Sequence, residues 1–277
     1  MVNKFVLEDI IKNAIIEDLN NGDTTSDYLI DKDDKTSAKM TVKKDGVVSG
    51  FFVAKKVFKM IDEDIEFNPL IEEGSFVKKG TDILKLKGST LSILKAERLA
   101  LNFMQRMSGI STLAYEFNKL VKPFNVRVVD TRKTTPNLRV LEKKAVELGG
   151  CFNHRFNLSS AVMIKDNHIK AAGSILKACA KIKAKLPHTT KIEVEVQNID
   201  MLKEALEAKA DIIMLDNMDC DKMKKAVEIN EGKAILEASG GINKKTIVDV
   251  AKTGVDVISV GALTHSYKSL DISLNIV

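Results

Sequence analysis

Six places in the second half of the chain put residues able to bind or move charge directly after a short Val- and Ile-rich run. Val126–Asp130 is followed by Thr131-Arg132-Lys133-Thr134, and Ala161–Ile164 by Lys165-Asp166-Asn167-His168. Ile192–Val196 carries Glu195 near its end, and Asp211–Leu215 leads into Asp216-Asn217. Ala234–Leu236 runs into Glu237 and Ser239-Gly240-Gly241, and Val255–Val260 into Gly261-Ala262-Leu263-Thr264-His265. The earlier runs supply cations, Arg132, Lys133 and Lys165, joined by His154-Arg155 from the loop before the second run. Crowded cations repel one another unless an anion joins them, so the pattern implies a multiply anionic ligand. Arginine suits planar carboxylates, and lysine suits phosphate as a point charge. The last runs place glycines beside small polar residues, where backbone N–H groups can cradle a phosphate. Between the two groups, Glu195 and Asp216 could hold ribose hydroxyls or a Mg²⁺ ion.

These residues converge only if the runs are parallel strands that end on one side. The runs start roughly 20 to 35 residues apart, and the gaps read as amphipathic helices at Ala171–Lys185, Ile199–Ala208, Asp221–Glu231 and Lys244–Thr253. Strand, helix, strand at this period means βα units and an α/β fold, and six strands fit an incomplete parallel (β/α) barrel over residues 110–269. No Gly-rich first turn of the dinucleotide-binding type is present.

Residues 1–109 read as a separate α+β domain. A helix over Glu8–Leu19 leads into turn-rich Asn20–Ser26, an alternating stretch over Ser37–Val48 and a helix over Phe51–Ile61. Short strands follow at Ile65–Phe67 and Thr81–Lys87, then a helical pattern from Leu91 to Leu120 that Ser108-Gly109 interrupts. Residues 270–277 alternate Leu270, Ile272, Leu274 and Ile276, as a strand returning to this domain would. Val77-Lys78-Lys79-Gly80-Thr81 resembles the lysine-bearing hairpin of a lipoyl carrier, but no matching second half follows and a plain turn is the better reading.

Composition excludes several classes. The 277 residues are 44% hydrophobic and 29% charged, ordinary values for a globular chain with a core of its own. No apolar stretch is long enough to span a membrane, and Met1–Leu19 lacks the basic and apolar regions of a signal peptide, so the cytoplasm is the expected compartment. Three cysteines at wide spacing support neither a disulfide framework nor a zinc knuckle. A net charge of +5, with three Tyr and no Trp, gives no case for nucleic-acid binding.

Several blocks together carry a family resemblance. Glu17-Asp-Leu-Asn-Asn-Gly-Asp-Thr-Thr25, Glu97-Arg-Leu-Ala-Leu-Asn-Phe-Met-Gln-Arg-Met-Ser-Gly-Ile110, Asp130-Thr-Arg-Lys-Thr-Thr-Pro136, Asn153-His-Arg155, Ile164-Lys-Asp-Asn-His-Ile169, Glu193-Val-Glu195, Leu215-Asp-Asn217, Ala238-Ser-Gly-Gly241 and Val260-Gly-Ala-Leu-Thr-His-Ser266 resemble quinolinate phosphoribosyltransferases, in order over residues 8–270. The resemblance implies an N-terminal α+β sandwich, an incomplete barrel of type II phosphoribosyltransferase kind, and at least a homodimer. It implies that quinolinate and phosphoribosyl pyrophosphate give nicotinate mononucleotide, pyrophosphate and CO₂, with Mg²⁺, in de novo NAD biosynthesis.

Carried over by motif, Arg132, His154, Arg155 and Lys165 would hold the quinolinate carboxylates, joined by Arg98 from a neighbouring subunit. Lys133 and Lys165 would face the phosphates of the other substrate, beside Thr131. Glu195 and Asp216 would face its ribose and Mg²⁺, and Ser239, Gly240, Gly241, Val260, Gly261 and Ala262, with His265 adjacent, its 5′-phosphate. Asn137 and Asn157, with Asn21 a further case, stand where the family usually has glycine, and Asn is the residue after glycine that best tolerates positive φ. Cys151 also replaces a usual glycine, and Ser160 a common aspartate. The competing readings are a sister enzyme of the same fold (molybdenum-transport-associated or nicotinate-specific), a lysine Schiff-base aldolase, and a non-catalytic RNA-binding module. A lysine among substrate anions keeps its proton, which disfavours the aldolase.

Overall fold

The computed structural model describes residues 2–277, which divide into two compact units. The first comprises residues up to Tyr115, Thr134–Gly150 and Ser266–Val277; the second comprises Glu116–Lys133 and Cys151–His265.

The first unit begins with α1 (Lys4–Leu19), whose start is set by Asn3, accepting the Phe5 N–H. The turn-rich stretch after it is in part a helix, α2 (Thr24–Leu29). Asp23 caps it by accepting from the Thr25 and Ser26 N–H groups, so the polar run that reads as a turn is a helix start. Then follow β1 (Lys35–Val42), β2 (Gly46–Val47) and α3 (Phe51–Ile61). Gly50, at φ +101, offers α3 no side-chain cap; the Glu73 carboxylate instead accepts the Gly50 and Phe51 N–H groups. One face of α3 buries Phe51, Val53, Ala54, Val57 and Phe58.

After β3 (Glu66–Pro69), β4 (Phe76–Val77) and β5 (Asp82–Ser89) comes α4 (Thr90–Val121). The Lys78–Thr81 segment is a turn next to β4, tied down by Asp45, which accepts from Lys78 Nζ and the Lys79 N–H. The expected interruption of α4 at Ser108-Gly109 does not occur. A Cβ on Gly109 would lie 2.3 Å from the Lys268 carbonyl oxygen, so glycine admits a passing segment of chain and the helix continues. Ser108 Oγ meanwhile accepts the Ser49 N–H and donates to the Ser49 carbonyl.

The second unit is a parallel sheet alternating with helices. Its elements are β6 (Arg127–Val129), β7 (Val162–Ile164), α6 (Asp166–Ala172), α7 (Ile175–Lys183), β8 (Ile192–Val196), α8 (Ile199–Glu207), β9 (Ile212–Asp216), α9 (Cys220–Asn230), β10 (Ile235–Ser239), α10 (Ile247–Ala251), β11 (Val257–Ser259) and α11 (Ala262–His265); α5 (Arg139–Leu148), between β6 and β7, belongs to the first unit. The strand order is β6-β11-β10-β9-β8-β7, so β6 and β7 stand at the two edges. The helix expected over 171–185 is α7 alone, shorter at both ends: Ala171 and Ala172 close α6, which Gly173 at φ +94 ends, and Ser174 starts α7 by accepting the Lys177 N–H. Asp211 and Asp256 pin the register at strand starts, accepting the Ile192 and Leu236 N–H groups.

Alternation along the strands separates two faces. Val194, Val196, Ile213, Leu215, Leu236, Ala238 and Ile258 are all buried and share one face. The intervening positions, Glu193 and Glu195, Met214 and Asp216, Glu237 and Ser239, share the other. The last element of the chain, β12 (Ile272–Ile276), pairs antiparallel with β1 and completes a first-unit sheet of order β12-β1-β5-β3.

Candidate functional site

The strand ends of the second unit surround a cleft of about 390 Å³, a size suited to a small ligand. Of the residues singled out from sequence, Thr131, Arg132, Lys133, His154, Arg155, Lys165, Glu195, Asp216 and Ser239 line it together. Gly240 and Gly241 follow at φ +101 and +60. A Cβ on Gly240 would meet Asn217 Oδ1 at 2.2 Å and Asn217 N at 2.9 Å, so this turn is open only to glycine. Val260 and Gly261 end the β11 segment, and α11 starts at Ala262. A Cβ on Gly261 would come within 3.1 Å of His265 Nε2 and 3.3 Å of the Lys133 side chain, and Thr264 Oγ1 donates to the Lys133 carbonyl. The loops after β6 and β11 are thereby tied to one another. Arg98 is exposed on α4 in the first unit and is not among the residues that line the cleft.

Each side chain is held from below. The buried Asp130 accepts the His154 N–H at 2.9 Å, while the Phe152 N–H reaches the Val128 carbonyl and the Asp130 N–H the Phe152 carbonyl. The Asn153–Arg155 segment is therefore laid alongside β6. Lys165 Nζ bonds Glu195 Oε2 at 2.9 Å, bridging the ends of β7 and β8. His168 receives the Lys165 N–H on Nδ1, which makes the histidine of the Lys-Asp-Asn-His block a cap for α6. Asp216 Oδ2 accepts from Asn217 Nδ2 at 3.0 Å.

The electrostatics carry the clearest chemical statement. Burial, and then the neighbouring Arg132, hold the Arg155 guanidinium below its ordinary pKa, with Glu193 acting in the opposite sense. Two guanidinium groups that repel each other at a cleft are a site for an anion. Arg155 is steadied meanwhile by the Ala161 carbonyl at 2.9 Å and by Met163 Sδ at 3.7 Å.

Sequence reasoning gave no role to Glu193 and Glu237, although both stand two residues before an assigned position on the same face of the same strand. His154 Nε2 lies 3.3 Å from Glu193 Oε2 and 3.5 Å from Glu237 Oε1. These three side chains are the group among the described residues whose ligand-type atoms lie within 4.8 Å of one another. Burial works against a charge on the imidazole, but Glu193 and Glu237 outweigh it and raise the His154 pKa to about 10. Burial and then Glu237 raise the Glu193 pKa, so this carboxyl keeps a proton more readily than an exposed one. The Arg155 N–H, 2.7 Å from His154 Nδ1, favours a bare Nδ1 and so opposes double protonation. Both influences leave the Nε2 proton in place. Met163, Met214 and Ser259 also line the cleft and were not singled out; the two methionines are the apolar side chains of an otherwise polar lining.

Among the departures from the family pattern, Asn137 sits at φ +64, a conformation asparagine tolerates. Asn157 is not at positive φ; its side-chain oxygen accepts from the Ser159 N–H and Ser160 Oγ. Asn21 is not at positive φ either, while its neighbours Asn20 and Gly22 are.

Comparison with known proteins agrees with this geometry. Residues 23–108 match the N-terminal domain of quinolinate phosphoribosyl transferase, and residues 110–275 its C-terminal domain. The chain is 39% identical over 275 residues to the probable nicotinate-nucleotide pyrophosphorylase [carboxylating] of Bacillus subtilis, covering 99% of this chain and 95% of that one. Its fold is similar to that of NadC from Streptococcus pyogenes, with a TM-score of 0.96 and 39% identity over 100% of this chain and 99% of that one. It is similar also to the nicotinate-nucleotide pyrophosphorylase from Francisella tularensis, with a TM-score of 0.96 and 40% identity over 100% and 98% of the two chains. A cleft walled by mutually repelling arginines, set on this fold with this sequence, places the chain in the quinolinate phosphoribosyltransferase family.

Proposed function

We propose that this chain transfers the phosphoribosyl group of phosphoribosyl pyrophosphate to quinolinate with loss of CO₂, forming nicotinate mononucleotide and pyrophosphate for de novo NAD biosynthesis. The observation that carries this reading is the pair Arg132 and Arg155, converging at one cleft so closely that one depresses the pKa of the other. Vicinal carboxylates on a pyridine ring are the kind of planar anion that relieves such repulsion. Met163 and Met214 offer the ring an apolar surface with polarizable sulfur.

In this reading Arg132, Arg155 and Lys165 hold the carboxylates, with His154 beside them. Lys133 and Lys165 neutralise phosphate oxygens as pyrophosphate departs, and the Ser239–Gly241 and Val260–Ala262 turns, with His265 adjacent, receive the 5′-phosphate. The ribosyl centre then carries oxocarbenium character, which the pyridine nitrogen attacks; the resulting ring cation stabilises the electron pair left on C2 when the 2-carboxylate leaves as CO₂, and C2 then takes a proton from water. The cleft contributes alignment and preorganised charge, and no general base is required.

The reaction class calls for a divalent cation, and Glu195 and Asp216, which present hard carboxylate oxygens on neighbouring strands of the cleft, would hold Mg²⁺. Such an ion would supply charge neutralisation to the leaving group. Arg98, exposed on α4, is assigned to the cleft of a second subunit, which makes a homodimer the active form. No helix among the described residues is long and apolar enough to cross a membrane, and we assign the enzyme to the cytoplasm.

The test is a coupled assay with purified protein, Mg²⁺, phosphoribosyl pyrophosphate and either quinolinate or nicotinate. Nicotinate mononucleotide from quinolinate is the expected result. Product from nicotinate alone would overturn the dicarboxylate assignment and favour a sister enzyme.

A further inference from the structure

Beneath the cleft lie two carboxylates that the mechanism above does not use. Glu193 and Glu237 are each only 3% exposed, and their Oε1 atoms are buried without a hydrogen-bond partner, that of Glu237 meeting His154 Nε2 only at ion-pair distance. Carboxylates buried at this depth are costly unless something holds them, so their placement on the same face of β8 and β10, on either side of β9, needs a reason. The group they share is His154 Nε2, at 3.3 and 3.5 Å. On the far side of the ring, Nδ1 accepts the Arg155 N–H at 2.7 Å, and the His154 N–H is itself bound by Asp130.

We propose that Glu193 and Glu237 are positioning residues that lock the His154 imidazole through its Nε2–H, so that Nδ1 fixes the Arg155 backbone and aims the Arg155 guanidinium at the carboxylate subsite. The chain of contacts is continuous: buried carboxylates, imidazole, Arg155 N–H, and then a guanidinium steadied by the Ala161 carbonyl and Met163 Sδ. Neither glutamate is among the residues that line the cleft. Two carboxylates around one N–H also make the lock redundant, because either alone still sets a carboxylate beside Nε2. The inference rests on the proposed reaction for its kinetic readout but not for its spectroscopic one.

Three kinetic variants and one spectrum test it. Glu193→Gln and Glu237→Gln keep an amide oxygen and side-chain volume at each site, and each should leave the KM for quinolinate within about three-fold. The double variant Glu193→Gln/Glu237→Gln removes both anions and should raise that KM roughly ten-fold or more, about 1.4 kcal/mol, while the KM for phosphoribosyl pyrophosphate stays within about two-fold. Equal losses for both substrates, or none, in a double variant that melts like the parent would overturn the proposal. NMR of the unliganded parent protein, ¹⁵N-labelled at its four histidines, provides the second arm. A slowly exchanging His154 Nε2–H that disappears in the double variant is expected; a parent His154 with no protected Nε2–H refutes the lock, whether or not the double variant folds. If the parent makes no product from quinolinate, the assigned reaction fails, while calorimetric titration with phthalate as a dicarboxylate probe, parent against double variant, still decides the positioning role. Weaker phthalate binding by the double variant supports it, and equal binding rejects it.

Discussion

Replacing Arg106 by Met tests the energetics of the first unit where they are most concentrated. Arg106, on α4, donates from Nε and Nη2 to a single oxygen of Glu142 on α5, at 3.0 and 2.6 Å. The other oxygen, Oε2, accepts the Thr135 N–H at 3.0 Å, and Arg106 Nη2 also reaches Thr135 Oγ1. Glu142 is wholly buried, whereas 26% of the Arg106 side chain meets solvent. Removing one partner of a buried pair costs about 3–5 kcal/mol because the other charge is stranded. The partial exposure of Arg106 moves the expectation to the low end, about 3 kcal/mol, since solvent already screens part of the interaction. Loss of the Arg106 guanidinium over the Tyr267 ring, 5.2 Å from the centroid, adds up to about 1 kcal/mol.

For a chain of this size each kcal/mol moves the melting temperature by roughly 2–4 °C, so Arg106→Met should melt about 6–16 °C below the parent. Scanning calorimetry reads this directly, and urea unfolding at 25 °C supplies the free energy. The companion Glu142→Leu should be comparably damaging alone, because it strands the arginine and the Thr135 N–H. Combined, Arg106→Met/Glu142→Leu should recover much of the loss, since an apolar pair of similar volume has no charge to desolvate. A coupling energy above about 1.5 kcal/mol in this cycle is expected. A single variant melting within 2 °C of the parent, or a cycle that adds without coupling, would show that the pair is not held dry and that the reasoning is wrong.

The other predictions are shorter. Gly109→Ala gains about 1 kcal/mol of helix propensity but drives a Cβ to 2.3 Å from a backbone oxygen, so the melting temperature should fall by several degrees; a rise would refute the close-approach account. Gly240→Ala combines positive φ with backbone and side-chain collision at Asn217, and should raise the KM for phosphoribosyl pyrophosphate roughly ten-fold, about 1.4 kcal/mol, measured by initial rates at saturating quinolinate. Burial pushes the Cys151 thiol up to about 12, so it stays a neutral thiol where an unfolded cysteine ionises near 8.5–9. The native state therefore binds more protons above that range, and stability should fall from about pH 9 towards pH 12 at up to about 1.4 kcal/mol per pH unit. Cys151→Ala should flatten that slope in urea titrations, and a slope unchanged by the variant would count against it.

What could be read before the structure follows from how parallel strands are buried. A strand covered on both faces must be apolar nearly throughout, so Ile212–Leu215 stands out, while Ile192–Val196 is marked by its alternation with Glu193 and Glu195; polar residues at the strand ends mark the cleft. Boundaries that rest on a single local interaction were less legible. The caps Asp23 and Ser174 look like turn residues, and the helix through Gly109 looks broken because the passing Lys268 carbonyl is 159 positions away in sequence. Among site residues, Glu195 was legible and Glu193 was not. The two share one strand face, but nothing along a sequence says how deep in a sheet an acid sits. Two-residue periodicity does offer a signal: an acid two positions before a functional strand-end residue points into the same interior. Arg98 is a different case, since its assignment depends on a second copy of the chain.

The vertical order of charge in the second unit explains how so many cations can share one cleft before any substrate arrives. Burial disfavours the charge on Arg155, and Arg132 disfavours it further, while Glu193 opposes both. Glu193 thus favours the charge on Arg155 from within the sheet. This arrangement leaves Arg155 cationic without requiring it to collapse onto an exposed carboxylate at the rim, where it would have to be withdrawn for each turnover. Lys165 shows the alternative, since its ammonium rests on Glu195 at 2.9 Å and, in the proposed reaction, would exchange that contact for substrate phosphate. A cleft whose arginine is poised by acids substrate cannot reach, beside a lysine paired with an acid that substrate or a metal ion can reach, separates ground-state support from the contacts that change during reaction. Such preorganisation is costly to the fold and favourable to the transition state, which explains why buried acids stand directly beneath the cations of this sheet.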